Sequence, residues 1–258
     1  MKSTYLICAV AALLPMTACN KDKAAKTADS SSSIYKPVPP PADGDWSSVV
    51  IATPAGGFMM GNPTAKVHLI EYGSLTCPHC RAFDEEGVTP LIDNYVKTGK
   101  VSYEFRNYVR DAFDMSASLI ARCNGPKGFF QLTRALYKDQ PNWVAKVQAA
   151  PQDQLEQLSS LPPNQVGVTA AKFAGLQEWA AMRGIPEAKS AQCLSNTNEV
   201  NRLVQMNTEA TDQYPEFPGT PTFIIDGKMW DAGRVTEAGL WPALEKALKA
   251  KLGWRSLR

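Results

Sequence analysis

"GSLTCPHCRAF", Gly73 to Phe83, carries two cysteines separated by a Pro-His pair and follows directly on an apolar run. That run, Val67 to Tyr72, reads as a strand buried on both faces. Beyond the cysteines, Val88, Leu91, Ile92, Tyr95 and Val96 recur at three- and four-residue steps, and Gly99 closes the pattern. This predicts a helix, kinked where Pro90 interrupts it. "VSYEFRNYV", 101–109, alternates like a second strand. Strand, helix and strand make a βαβ unit, with the cysteines at its first junction.

That junction is where cysteine chemistry is expected. Pro78 suits the first helical position, because its missing N–H is one the helix would leave unpaired anyway. Cys77 then sits at the helix N-terminus, where free N–H groups and the macrodipole present roughly half a positive charge. Such a site favours thiolate, the nucleophilic form of sulfur. His79 adds a second positive or hydrogen-bonding group beside it. Cys80 lies a turn deeper near the same face, placed to attack Cys77 and harder for a partner to reach. Glu71 is an acid in an apolar strand, a costly position unless it is paired or protonated. Burial would raise its pKa and let it take the proton of Cys80 as that thiol attacks. A paired structural carboxylate is the alternative reading of Glu71.

Around this unit the chain divides. Val49–Ala52 and Phe58–Met60 fit a strand or hairpin ahead of it, so the folded part starts near Trp46 and its first section runs to 110. Residues 111–213 hold only segments of helical spacing, punctuated by Gly125, Pro151, Pro162 and Pro186, and read as a helical insertion. The last section, 214–258, offers a strand from Thr222 to Ile225, a turn at Asp226-Gly227, a partner strand in "KMWDAG" and a closing amphipathic helix. The fold class is therefore α/β, interrupted by helices.

The N-terminus, "MKSTYLICAVAALLPMTAC", pairs Lys2 with an apolar run from Tyr5 to Leu14. The run is far short of the roughly 20 residues that span a bilayer, so residues 1–18 read as an export signal. "MTAC" resembles a bacterial lipobox, which would make Cys19 the lipidated first residue of the mature chain and anchor it to a membrane. Residues 19–45 are rich in Ser, Lys, Ala and Pro and read as a tether.

Export places the cysteines in an oxidising compartment. Cys8 leaves with the signal and Cys19 carries lipid, which leaves four of the six. Pairing Cys77 with Cys80 leaves Cys123 with Cys193, 70 positions apart; the alternative for either is a small buried hydrophobe. A net charge of +2 with no basic stripe speaks against nucleic acid as a partner. A metal reading is poorly supplied, since one C-x-x-C offers two ligands where structural zinc wants four. His68, mid-strand, reads as a packed core residue. The rival from another class is a non-catalytic copper- or zinc-handling lipoprotein using the same two cysteines.

Several features agree on a family: "CPHC", Glu71 six residues before Cys77, the helical insertion, and "GTPTF" at 219–223. From about Gly57 to Leu252 the chain resembles the DsbA-like thiol–disulfide oxidoreductases of the thioredoxin superfamily. The resemblance implies a thioredoxin fold with a helical insertion between its βαβ half and its C-terminal ββα half. It implies a redox-active Cys77–Cys80 disulfide with no other cofactor and no metal, and a cis-proline at Pro221 facing that disulfide. It implies that the backbone of Thr220 is an edge on which a substrate chain docks. Thr220 stands where DsbA itself has valine, a position that tunes redox potential and substrate release. The activity implied is donation of the disulfide to reduced exported polypeptides in the periplasm, by a monomer. A membrane oxidase of the DsbB type, or another electron acceptor, would reoxidise it. The Pro-His pair points to the oxidising end of the range. An isomerase is less expected, because the known periplasmic isomerases carry an N-terminal dimerisation domain where this chain has a tether.

Overall fold

The structure is a computed structural model that describes residues 35–158, 160–231 and 237–254. The export signal at 1–18, Cys19 with its lipidation, and the tether up to residue 34 lie outside the described residues. Among the described residues, no helix is long and apolar enough to cross a membrane.

Six strands form one sheet: β1 (Val50–Ala52), β2 (Phe58–Met60), β3 (Val67–Gly73), β4 (Val101–Asn107), β5 (Thr222–Ile225) and β6 (Lys228–Met229). Their order is β1-β2-β4-β3-β5-β6. β3 and β4 run parallel, in register from Val67 opposite Val101 to Gly73 opposite Asn107, and all other neighbours are antiparallel. The parallel pair is central, as the buried character of both strands requires. β4 is buried throughout, but β3 is not buried on both faces as expected, for His68 and Ile70 remain half-exposed. His68 is thus no core residue; its Nδ1 lies 2.6 Å from Ser102 Oγ on the neighbouring strand. Asp226 and Gly227 join β5 to β6 with φ of 51° and 78°, the left-handed pair that a tight two-residue hairpin turn demands.

The helix after β3 changes width along its length. α1 (Pro78–Phe83) passes into a π-helical stretch at Asp84–Val88, then α2 (Thr89–Leu91), then a second π-helical stretch at Ile92–Val96. The irregularity expected at Pro90 takes this form, with the proline inside the short α-turn between two wider ones. The insertion comprises α3 (Ala112–Arg122), α4 (Pro126–Lys138), α5 (Gln140–Gln148), α6 (Gln152–Leu158), α7 (Pro163–Phe173), α8 (Leu176–Ala181), α9 (Glu187–Leu194) and α10 (Thr197–Gln213). α11 (Glu237–Leu252) closes the chain. Asp111 caps α3 by accepting from the N–H groups of Phe113 and Asp114. Cys123, at the end of that helix, forms a disulfide with Cys193 of α9, with 5.5 Å between their Cα atoms.

The main core lies between the sheet and α1, α3, α4 and α11, where Leu69, Phe83, Phe105, Phe129, Phe223 and Leu244 are buried together. Each such side chain contributes about 1.5–3 kcal/mol by leaving water. A smaller cluster on the other face joins Tyr72 and Ile224 to Ala210 and Tyr214 at the end of α10. Tyr35 belongs to the segment read as a tether, yet its hydroxyl donates to Glu104 Oε2 at 2.9 Å and its ring lies 6.1 Å from that of His68. The folded body thus takes in residues ahead of Trp46, because an aromatic ring with a hydroxyl can close an otherwise open sheet face.

Candidate active site

β3 ends at Gly73, the one residue type its position allows. A Cβ there would stand 2.5 Å from the Phe105 ring and 3.1 Å from Glu71 Oε1. The chain then turns through residues 74–77 into α1, whose first residue is Pro78. Cys77 is the N-cap residue, extended at φ −82° and ψ 122°, and its carbonyl accepts the first helical hydrogen bond from Arg81 N at 3.2 Å.

Both thiols of the pair are free. Cys77 is 2% exposed and Cys80 wholly buried. The Cys77 sulfur lies 3.3 Å from the carbonyl oxygen of Thr220, which precedes β5, and the Thr220–Pro221 peptide bond is cis. Residues 143 positions apart are thereby brought into contact. The attacker is buried, then, but not remote from the proline.

The two sulfurs are driven apart in acidity. Cys77 is held down to about 5, first because the Cys80 thiol donates to it, against the opposing effect of burial. The Thr220 side chain and the backbone N–H groups of Cys80 and His79 add to that stabilisation. The Thr220 hydroxyl is buried with no hydrogen-bond partner, so its proton is free to turn toward the sulfur, whose direct contact is with the Thr220 carbonyl. His79 therefore reaches Cys77 through its backbone N–H, while its side chain belongs to an exposed residue. Cys80 is pushed well above the usual thiol range by burial, by its donation to Cys77 and by the nearby charge of Glu71. The backbone N–H of Ser74 donates to its sulfur at 3.5 Å.

Glu71 is buried on the sheet face beneath the pair and accepts a short hydrogen bond from the Tyr103 hydroxyl. Its other oxygen, Oε1, is buried with no partner. Burial pushes its carboxyl up to about 8, with the charges of Asp84 and Cys77 acting in the same direction and the Tyr103 hydroxyl opposing. Glu71 is thus a proton holder at neutral pH, set beside a thiol that must gain or lose one.

The structure brings together Cys77, Cys80, Glu71, Thr220 and Pro221. The Cys123–Cys193 bridge joins two helices of the insertion and is no part of this site. Sequence reasoning missed Asp84, whose carboxyl is pushed up to about 6 by burial and lies 3.4 Å from Arg134 Nε. Its position four residues after Cys80, on one helix face, was the available signal. It also missed Tyr103, Asp114, Tyr137 and Gln140, which no local pattern marks. Among the described residues, no three His, Cys, Asp or Glu side chains gather where they could hold a metal ion.

A helix that opens with a buried dithiol, set against a cis X–Pro bond on a sheet carrying a helical insertion, defines the thioredoxin fold in its DsbA-like form. The chain belongs to the thioredoxin family, whose model, described as thioredoxin, matches residues 53–246. It is 34% identical to a protein-disulfide isomerase of known crystal structure from Novosphingobium aromaticivorans, with a TM-score of 0.69 over 74% of this chain and 96% of that one. Wolbachia pipientis alpha-DsbA1 shares the fold, with 20% identity and a TM-score of 0.58 over 78% of this chain and 92% of its own. A Rickettsia felis protein provisionally named a protein-disulfide oxidoreductase is 25% identical over 193 residues, 74% of this chain. The chain spans 60% of the length of that curated relative.

Proposed function

We propose that the protein is a thiol–disulfide oxidoreductase that donates a Cys77–Cys80 disulfide to exported polypeptides. The observation that carries this is the split between the two sulfurs: Cys77 held as thiolate beside Thr220, Cys80 held as thiol beside Glu71. In the oxidised protein, a substrate thiolate attacks the Cys77 sulfur. The Cys77–Cys80 bond breaks, a mixed disulfide forms, and Cys80 leaves and takes a proton from Glu71. A second substrate thiolate then attacks the substrate sulfur of the mixed disulfide. Cys77 leaves as thiolate, which its N–H and hydroxyl neighbours stabilise, and the substrate keeps the disulfide. Two electrons have passed to the protein, and stabilising the leaving thiolate favours that direction.

No cofactor beyond the cysteine pair is needed for this sequence of exchanges. Docking of the substrate backbone beside Thr220 and Pro221 would give affinity without demanding a sequence. Export by residues 1–18, attachment through Cys19, a periplasmic location, action as a monomer, and reoxidation by a membrane oxidase of the DsbB type belong to the same proposal. They rest on the sequence. The name of the Novosphingobium protein favours a second reading, an isomerase that reshuffles existing disulfides. A redox titration against glutathione, paired with refolding of a reduced and of a scrambled disulfide protein, separates the two. An oxidase equilibrates at an oxidising midpoint and acts on the reduced substrate. Action confined to the scrambled substrate would favour the isomerase, and a dithiol inert to glutathione would defeat both readings.

A further inference from the structure

The loop at residues 74–77 that delivers Cys77 lies outside any helix or strand, so its peptide groups need partners from elsewhere. Three buried side chains of the helical insertion supply them. Asp114 of α3 accepts from Leu75 N at 2.8 Å and from the Ser74 hydroxyl at 2.6 Å. Tyr137 of α4 donates its hydroxyl to the Ser74 carbonyl at 3.2 Å. Gln140, the first residue of α5, donates its amide to the Leu75 carbonyl at 2.7 Å and to the Cys77 carbonyl at 3.0 Å. The remaining donor of Ser74, its backbone N–H, is the one that reaches the Cys80 sulfur.

We propose that Asp114, Tyr137 and Gln140 are positioning residues by which the helical insertion sets the redox balance of the dithiol. Asp114 and Tyr137 grip Ser74 from its side chain and its carbonyl, and Gln140 holds the loop on the far side of it through the Leu75 and Cys77 carbonyls, so together they fix where the Ser74 N–H points. That N–H meets the sulfur of Cys80 at 3.5 Å in the dithiol form, and closing the bond to Cys77, at about 2.05 Å, draws that sulfur toward Cys77 and off a donor whose place is fixed. The clamp therefore favours the reduced form over the disulfide. Asp114 is wholly buried, which pushes its carboxyl up to about 7, and it accepts from the Ser74 hydroxyl and from the backbone N–H groups of Leu75 and Arg110. The equilibrium concerned is protein disulfide plus two glutathione thiols giving protein dithiol plus glutathione disulfide. One proton ends on Cys80, and one is released to water as Cys77 stays a thiolate.

This rests on the dithiol being the working redox group, and the test keeps the two ideas apart. Full-length D114N, Y137F and Q140L are each equilibrated with glutathione, and their unfolding is measured in the oxidised and in the reduced form. Each variant should lower the equilibrium constant for reduction by about three- to tenfold, the worth of a hydrogen bond lost from one form. Each should destabilise the reduced form more than the oxidised form by that same factor. Should D114N not fold, Q140L and Y137F, which leave the carboxylate in place, carry the measurement. Constants within twofold of the parent, an increase, or equal destabilisation of both forms would mean the three residues brace the fold and nothing more. Failure of the parent itself to equilibrate would instead defeat the function proposed above.

Discussion

Cys123 and Cys193 lie 70 residues apart and are joined; Cys77 and Cys80 lie one helical turn apart and are free. Their surroundings differ in the polar atoms on offer. The sulfurs of the bridge lie 3.9 Å from the carbonyl oxygens of Lys189 and of Cys123 itself, and the Cys77 sulfur likewise lies 3.3 Å from the Thr220 carbonyl, so carbonyl contacts do not separate the two pairs. The dithiol is met by backbone N–H groups, by the Thr220 hydroxyl, and by an acid within its electrostatic reach. The dithiol has groups beside it that hold a charge on one sulfur and a proton on the other. The same two atoms are thus a brace in one place and a reagent in the other.

The largest expected effect is all-or-none. C80S should accumulate mixed disulfides with exported proteins on non-reducing gels, because Cys77 attacks and nothing resolves the product. C77S should accumulate none, since the remaining sulfur is wholly buried and held as thiol. Adding C123S and C193S to the C80S chain should leave trapping intact. Equal trapping by C77S and C80S would erase the distinction between attacker and resolver.

Next in size is the brace. Opening a loop of 70 residues should lower stability by about 4 kcal/mol in the chain-entropy account. Chemical unfolding of the C123S/C193S double variant measures this, and its glutathione midpoint should match the parent. A midpoint that moved with the stability would show the two pairs to be coupled, and the contrast between them would fail.

Much of this contrast was readable before any coordinates. The βαβ unit, the cysteine at a helix N-terminus and the pairing left over for Cys123 all follow from periodicity, a proline and a count. What was not readable depends on register and on contacts between distant elements. Tyr103 faces Glu71 only because β3 and β4 pair Val67 with Val101, an alignment no local pattern states. Gln140 and Asp114 look like ordinary helix residues until the insertion folds back on the redox loop. His79 acts on the sulfur partly through its backbone. Its imidazole is the group the sequence singles out, and its backbone N–H, which any residue but proline would supply, also holds Cys77 down. Tyr35 reads as part of a tether because its neighbours are polar, yet its hydroxyl and ring reach Glu104 and His68.

A third test concerns the proton. Glu71 is raised to about 8 in the folded protein, so the folded state holds its proton more tightly than the unfolded chain does. Its contribution to stability is complete below the unfolded value of about 4.3, and is lost as pH rises through about 8. E71Q removes that dependence. Relative to the parent, reduced E71Q should gain stability between pH 5 and pH 8.5, by roughly 1–3 kcal/mol, when both are unfolded in denaturant across that range. A difference that does not change with pH would mean Glu71 is an ordinary ionised carboxylate paired with Tyr103, and the departing Cys80 would lose its proton donor.

The smallest change tested is a single hydroxyl. Thr220 Oγ1 is buried with no hydrogen-bond partner, and the Thr220 side chain helps hold Cys77 down. Valine has nearly the same shape, so T220V should leave packing undisturbed while removing that donor. A hydrogen bond to a charged group contributes about 1.5–3 kcal/mol, and about 1.4 kcal/mol corresponds to one pH unit of midpoint. The thiolate absorbance of reduced T220V should therefore titrate at least about one pH unit above the parent midpoint near 5, with a matching fall in the equilibrium constant for reduction. The oxidised form offers an internal reference, because it carries no Cys77 thiolate for the hydroxyl to stabilise and its unfolding should hardly change. If the midpoint stays where it was, the hydroxyl is a bystander and the backbone N–H groups with Cys80 hold the charge alone. If oxidised T220V unfolds as much more readily as the reduced form does, the hydroxyl braces the loop and does not act on the sulfur.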